Sequence, residues 1–302
     1  MKRTLLLAAI LLIPMISPLR GGMGIPVVTT TEDLASIARS VGGDRVSVTS
    51  LARGNADLHY LQARPDFIVI LSKAKLFVQI GLGLEAGWVP PLLQQSRNRK
   101  IQKGNQGHCV PHRGIPLLDR STGTVSRRMG DVHPEGNPHY WTDPVNAIVI
   151  GKNIRDSLIA IDPPGKKTYG ENFNRFRREM TRLAKNLVAV TKPFRGKKVA
   201  VYHTEYSYLL KRCGLKQGVT IEELPGVPPS AAHIRRVVSQ MMREKISLIL
   251  ATPWSDLRHV NTVARRSGAK ILILPIQTGS TKKIPTYEAM VREVTRMLKE
   301  NL

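Results

Sequence analysis

The chain has 302 residues, of which 23% are charged, and a formal net charge of +24. This length suffices for one large or two ordinary domains, each with a core of its own. So large a charge can attract nucleic acid or anionic lipid. The basic residues, however, are spread in pairs such as Arg127 with Arg128 and Lys282 with Lys283. This spacing favours a solvated basic surface, and we expect no nucleic-acid partner.

Residues 1–24 have the features of a secretory signal peptide. Lys2 and Arg3 precede an apolar run from Leu5 to Ile16, which is too short and too interrupted by proline to span a bilayer. No cysteine follows this run closely, so we expect cleavage near residues 21–24 and a soluble mature chain without a lipid anchor. The expected location is the periplasm, where oxidising conditions permit a disulfide between Cys109 and Cys213. The alternative for this pair is one exposed and one buried thiol.

The pattern from residue 25 alternates between strands and helices. PVVTT predicts a strand, and TEDLASIARSVGG predicts a helix capped within Thr30 to Asp33 and closed by Gly42. VSVTSLA, DFIVIL and KLFVQIG predict further strands, the last two as continuous apolar runs buried in a parallel sheet. Residues 95–143 show little periodicity and predict mostly loop. We therefore expect an α/β lobe over residues 25–160.

A long amphipathic helix follows, from about Lys166 to Thr191, where apolar residues recur at spacings of three and four. It predicts a connector over residues 161–194. Beyond it, GKKVAVYH, VTIEEL, SLILAT and AKILILP predict strands, with helices at Glu205–Cys213, Ser230–Glu244 and Leu257–Ser267 and at the C-terminus. The predicted fold class is thus α/β, with two lobes, each holding a mostly parallel sheet flanked by helices, the second over residues 195–302.

Three of the eight histidines lie at or beyond the carboxyl ends of predicted strands. His59 follows VSVTSLA, His139 lies in the loop GDVHPEGNPHYWTDP, and His203 ends GKKVAVYH. Ligands of open α/β sheets collect outside these strand ends, and imidazole suits a borderline divalent ion such as zinc. Taken singly, each histidine could equally be a surface or capping residue.

The segments around these histidines resemble the signature segments of the zinc and manganese substrate-binding proteins of bacterial ABC importers. They are ADLHYLQARP, NPHYWTDP and YHTEYSYLLKRCGL, in that order, followed by IEELPGVPPSAAHI and a terminal helix that opens at Thr286 and Tyr287. The first match is the loosest, since Leu58 and Leu61 replace the family's proline and tyrosine. The resemblance implies that His59, His139 and His203 ligate a metal ion, with Trp141 and Pro144 as packing and turn residues.

The same resemblance implies a function: a periplasmic receptor that captures an ion between two lobes and delivers it to a membrane ABC permease, without catalysis. Family members with three histidines resemble zinc receptors, whereas a carboxylate at the third position goes with manganese. We therefore expect Zn²⁺ as the transported ligand, with Mn²⁺ less favoured. We also expect a monomer.

The fourth ligand is open. The family supplies an aspartate after the last strand of the second lobe, but ILPIQTGSTKKIPTY contains no acid, and Gln277 and Thr278 are poor zinc ligands. Glu222, which follows the predicted strand VTI, is the first candidate. Water, Glu223 and Glu205 are the alternatives.

Several nearby side chains have two possible roles. His133 contacts a ligand or is solvated, and Asp131 or Asp143 orients an imidazole, although capping of the next helix suits Asp143 better. Glu85 contacts the site or begins a helix. Three loop histidines form a weak auxiliary site or are merely scattered: His108, His112 and His133.

Two other classes of function compete with the receptor. A zinc hydrolase would use the three histidines to activate water, with Glu205 or Glu222 as base, but no further hydrolase motif accompanies them. A basic adhesin or nucleic-acid binder would bind in a salt-dependent manner that chelators do not affect.

Overall fold

The computed structural model describes residues 24–120, 133–224 and 226–302. The predicted signal peptide and Asp131 therefore lie outside the described residues, apart from Gly24. No helix among the described residues combines the length and apolar character that crossing a membrane requires.

The N-terminal sheet has four parallel strands in the order β2-β1-β3-β4. Its strands are β1 (Ile25–Thr29), β2 (Val46–Ser50), β3 (Leu76–Val78) and β4 (His108–Cys109). The helices that accompany it are α1 (Glu32–Gly42), α2 (Pro65–Lys73), α3 (Val89–Gln95) and α4 (Pro144–Ile161).

The C-terminal sheet repeats this order as β6-β5-β7-β8, again parallel. Its strands are β5 (Lys198–Val201), β6 (Lys216–Thr220), β7 (Leu248–Ala251) and β8 (Lys270–Ile273). Its helices are α6 (Ser207–Cys213), α7 (Ala231–Arg243), α8 (Leu257–Ser267) and α9 (Tyr287–Asn301). The predicted fold class, two parallel sheets flanked by helices, is thus confirmed. In each sheet the chain turns to opposite sides of its first strand, which creates a crevice at the carboxyl ends.

The long helix α5 (Lys166–Thr191) spans 26 residues and joins the two halves. Its buried residues, from Tyr169 to Leu187, recur at spacings of three and four, and the helix packs against α1, α4 and α9. One apolar cluster runs from β1 through this helix to β7, with Val27, Phe176 and Leu250 among its members. A core shared in this way resists a wide hinge motion between the sheets, because opening would expose apolar surface.

The structure corrects three local predictions. DFIVIL forms most of helix α2 rather than a strand: Pro65 occupies the first helical turn, and Phe67 and Leu71 form the buried face. Thr31 rather than Thr30 caps α1, its side chain accepting from the Leu34 N–H. The strand predicted from VTIEEL begins earlier and ends at Thr220, so Glu222 lies beyond the sheet. Strand β4, within the predicted loop, was not foreseen.

Candidate metal centre

His59, His139 and His203 meet in the crevice between the two sheets. One ring nitrogen from each lies within 4.8 Å of the others, and among the described residues this is the group of three or more His, Cys, Asp or Glu that could hold an ion. Their ring centroids are 5.3 to 5.5 Å apart. Nitrogens that bind one zinc ion at 2.0–2.1 Å in a tetrahedron are about 3.3 Å apart. Small ring rotations would therefore bring the three nitrogens to one ion.

The two N-terminal histidines are held by the same local device, an Asp or Asn two residues earlier. Asp57 Oδ1 accepts both the His59 backbone N–H and its Nδ1–H, each at 3.0 Å. Asn137 Oδ1 does the same for His139, each at 2.9 Å. Because a carboxylate or amide oxygen accepts, Nδ1 carries the proton and the Nε2 lone pair is left for an ion. The pattern Asx-x-His was readable in the sequence, although its role was not recognised there.

The C-terminal histidine is held by a residue distant in sequence. His203 Nδ1 donates to Glu222 Oε2 at 2.8 Å. The parallel register places Val201 of β5 opposite Thr220 of β6, so the residues two positions beyond each strand lie side by side. His203 Nε2 is buried, and no described residue forms a hydrogen bond with it. Glu222 is thus in contact with the cluster, but behind His203 rather than beside the free nitrogen.

The electrostatics favour a neutral ring at His139 but not at His203. His139 is 4% exposed. Burial, together with the neighbouring His59, His203 and His133, holds the pKa of His139 well below 6.5. Burial also lowers the pKa of His203, but its hydrogen bond with Glu222 and the charge of Glu205 outweigh this, so that pKa is raised overall. Metal binding requires the neutral form of each ring.

A cavity of about 220 Å³ lies over the histidines. Four carboxylates line it: Asp57, Glu205, Glu222 and Asp256. Glu205 is 2% exposed, and neither of its oxygens has a hydrogen-bond partner in the described part of the chain. Burial raises the pKa of Glu205 to about 7, against the opposing effect of His203. The cavity therefore contains a buried carboxyl group whose burial His203 and its own backbone N–H offset only in part.

His133 also reaches the cluster. Its Nε2 lies 3.3 Å from His59 Nε2, and the two ring centroids are 5.4 Å apart. Since His59 Nδ1 carries the proton, the His133 N–H donates to the His59 Nε2 lone pair, and an ion bound by that lone pair would displace His133. His133 thus contacts a predicted ligand, the first of its two predicted roles.

The remaining candidates have structural roles. Asp143 caps α4 by accepting from Val145 N–H at 2.8 Å and pairs with Arg212. Glu85 accepts from Thr30 Oγ1 and from the N–H groups of Ile80 and Gly81, which ties β1 to the turn after β3. Trp141 is buried and donates to the Ile276 carbonyl, and Pro144 begins α4.

Two more of the candidate ligands are engaged by other protein groups. Glu223 pairs with Arg236 at 2.7 Å. The amide nitrogen of Gln277, oriented to suit its neighbours, donates to the Gly54 and Ala56 carbonyls. Gln277 thereby links the two halves of the crevice.

Cys109 and Cys213 are both free and both buried, which excludes the two alternatives predicted for them. Burial raises the pKa of Cys109 to about 11 and that of Cys213 to about 12. Thiols of this kind are unreactive.

Two parallel sheets joined by a long helix, with three oriented imidazoles between them, define a two-lobed α/β binding protein with a cleft suited to a divalent ion. Comparison with known proteins gives the family. The profile of the ZnuA family, described as "Zinc-uptake complex component A periplasmic", matches residues 27–301. The chain belongs to this family of metal-binding substrate-binding proteins of ABC importers.

Relatives differ in the metal that their names carry. The chain is 25% identical over 282 residues to zinc-binding lipoprotein AdcA of Streptococcus pneumoniae, covering 91% of this chain but only 55% of that protein. It is 25% identical over 266 residues to the high-affinity zinc uptake protein ZnuA of Yersinia pestis, covering 81% and 80% of the two chains. A manganese substrate-binding lipoprotein, PsaA of Streptococcus pneumoniae, is 23% identical over 250 residues, or 81% and 77% of the two chains.

Solved structures match over most of the chain. A crystal structure of ZnuA aligns with a TM-score of 0.77 at 21% identity, covering 92% of this chain and 99% of the other. The laminin-binding adhesin Lmb of Streptococcus agalactiae, in a mutant structure, aligns with a TM-score of 0.76 at 26% identity, covering 92% and 100%. These alignments confirm the two-lobed fold.

Proposed function

We propose that this chain is an exported receptor that captures a divalent ion, zinc in preference to manganese, and delivers it to the membrane permease of an ABC importer. The observation that carries the proposal is the orientation of the histidines. Each Nδ1 of His59, His139 and His203 is engaged by an oxygen, which leaves Nε2 as the nitrogen that each ring can offer to an ion, and the three rings lie close enough to share one. Family membership supports delivery to a permease, and the proposal assigns no catalytic step.

Zinc follows from the donor set. Three neutral imidazoles suit a borderline ion, whereas manganese favours oxygen ligands. The relatives named for zinc and for manganese leave both ions within the family's range. The role of His59, His139 and His203 as ligands is part of the proposal. Glu222 takes the role of orienting His203 in place of the ligand role predicted from the sequence.

Capture and release of the ion both depend on the fact that its ligands come from two lobes. We propose lobes over residues 25–160 and 195–302 with a connector at 161–194, acting as a monomer. His59 and His139 come from the first lobe and His203 from the second, so docking that separates the lobes slightly would remove a ligand. The shared core restricts this motion to a small closure and opening.

The decisive experiment measures zinc and manganese binding to the purified chain by chelator competition and elemental analysis. We expect one zinc ion per chain, weaker manganese binding, and loss of the zinc ion in His139→Ala. His233→Ala is the matched control, because His233 is on α7 and contacts the Thr220 carbonyl rather than the cluster. Equal zinc binding in His139→Ala and the unaltered protein would refute the site.

A further inference from the structure

One buried carboxylate of the cavity, Glu205, makes no hydrogen bond to another of the described residues. Glu205 follows His203 by two residues and lies in the short 3-10 turn Thr204–Tyr206, for which His203 is the N-cap. Each of its two oxygens is shielded from solvent and lacks a hydrogen-bond partner within residues 24–120, 133–224 and 226–302, as does His203 Nε2. An ionisable group buried in this way is destabilising unless a charge or a donor compensates it.

The other three carboxylates of the cavity are already engaged. Asp57 Oδ1 holds His59, Glu222 Oε2 holds His203, and Asp256 pairs with Arg258 while capping α8. Using any of them as a ligand would disturb an orienting or capping contact. Glu205 alone among the four has both oxygens available.

The turn that carries Glu205 is fixed from both halves of the molecule. Asn137, which also orients His139, donates through Nδ2 to the Thr204 carbonyl at 2.8 Å. Tyr206 is fully buried, and its hydroxyl donates to the Leu274 carbonyl at 3.1 Å. Since the backbone is held on both sides of Glu205, only its side chain is left to adjust. The Glu205 side chain must rotate to reach an ion held by the histidines. The cluster of possible ligand atoms within 4.8 Å of one another contains His59, His139 and His203 but not Glu205.

We propose that Glu205 supplies the fourth donor to the ion, in place of the aspartate that this chain lacks. Three neutral imidazoles leave the full double charge of the ion in a buried site. A carboxylate ligand lowers the net charge of the site from +2 to +1. The ion in turn compensates the buried charge of the Glu205 carboxylate. The inference rests on the proposed function and concerns only the fourth position.

The test compares Glu205→Gln with Glu222→Gln and Glu223→Gln. Zinc affinity is measured by chelator competition, and the infrared difference spectrum on zinc addition reports carboxylates that bind the ion. We expect Glu205→Gln to weaken zinc binding by more than the 10–100-fold typical of an orienting partner and to abolish the carboxylate difference band. Glu223→Gln, altered at an exposed ion pair, should retain both affinity and band.

The metal-free protein provides an independent readout. Glu205→Gln removes a buried ionisable group that has no partner, so we expect it to melt at a higher temperature than the unaltered metal-free chain. Glu205→Ala serves as a second variant if the glutamine variant folds poorly. A retained carboxylate band in either variant, with or without weaker binding, would overturn the assignment. If the unaltered chain bound no zinc, the proposed function itself would fail, whereas intact binding in Glu205→Gln would defeat only this inference.

Discussion

The two halves of the cleft hold their histidines by different means. In the N-terminal half, the orienting oxygen is two residues from the histidine, Asp57 for His59 and Asn137 for His139. In the C-terminal half it is 19 residues away, Glu222 for His203. The first device is formed by the local chain, while the second exists only when β5 and β6 pair in register.

This difference implies unequal preorganisation. A local Asx-x-His turn fixes its ring wherever the loop itself is ordered. The His203 ring depends on strand pairing and on the bend after β6, which also carries exposed Val227. We therefore expect the N-terminal pair to form the more rigid part of the site and His203 to complete it.

The largest effect is expected from removing the whole N-terminal pair. His59→Ala combined with His139→Ala leaves one imidazole, and we expect zinc binding to fall below detection in chelator competition. His203→Ala leaves the preorganised pair and should retain weak binding, at least about 100-fold below the unaltered chain, since the loss of an orienting partner alone costs 10–100-fold. Equal residual binding in the two proteins would show that the halves contribute equally.

The next effect concerns the orienting residue of the C-terminal half. Glu222→Ala frees the Nδ1 of His203 and lets its ring rotate, so we expect zinc affinity to fall about 10–100-fold. Glu223→Ala is the matched control, because this neighbour pairs with Arg236 and Ser230 instead. Isothermal titration calorimetry measures both. A larger loss in the control would contradict the assigned role of Glu222.

The sequence predicted the fold correctly wherever the pattern of apolar residues matched the residues that are buried in the structure. Apolar runs sufficed to predict strands β1, β3, β5, β7 and β8. The spacing of apolar residues sufficed to predict helix α5. DFIVIL was misassigned because a short apolar run suits a buried strand as well as a helix. What decides it is Pro65 in the first turn together with the burial of Phe67 and Leu71, four residues apart. Which residues are buried depends on the packing of the whole protein, and the apolar run DFIVIL alone does not indicate it.

For the site, the histidines and the local pattern that orients two of them could be predicted from the sequence, while the distant partner of His203 could not. His59, His139 and His203 stood out through their segments and their position after strands. The pairing of His203 with Glu222 required the register of β5 and β6, and the isolation of Glu205 required knowing which donors surround it. Such facts depend on the exact packing of distant segments, which no single stretch of sequence records.

A smaller effect is expected from making the two N-terminal devices identical. Asp57→Asn retains an oxygen that can accept from both the His59 N–H and Nδ1, as Asn137 does for His139. We therefore expect zinc affinity to fall by about tenfold at most, the lower limit for an orienting partner. Asp66→Asn, at an exposed pair with Arg64, is the control in the same titration. A loss as large as that of Glu222→Ala would mean that the charge of Asp57, not its geometry, matters.

The smallest effect on zinc affinity is expected where the two halves are joined, at Asp33. This buried side chain of α1 accepts from Thr278 N–H and Oγ1, both at 2.8 Å, across the crevice. Burial raises the pKa of Asp33 from 3.8 to about 7, against the hydrogen bonds from Thr278 and with a small contribution from Glu32. The folded state therefore holds this proton more tightly than the unfolded chain, and stability falls as the pH rises through that interval.

Asp33→Asn removes this dependence while keeping an oxygen that can accept from Thr278. We expect its melting temperature to exceed that of the unaltered chain by more at pH 8 than at pH 4, with zinc affinity at pH 8 unchanged. Asp44→Asn, at an exposed carboxylate just after α1, should show no such pH-dependent gain. A gain of the same size at both pH values would show that Asp33 is not protonated preferentially in the folded protein. The hydrogen bonds from Thr278 to Asp33 would then stabilise the fold to the same extent whether this carboxyl group is protonated or charged.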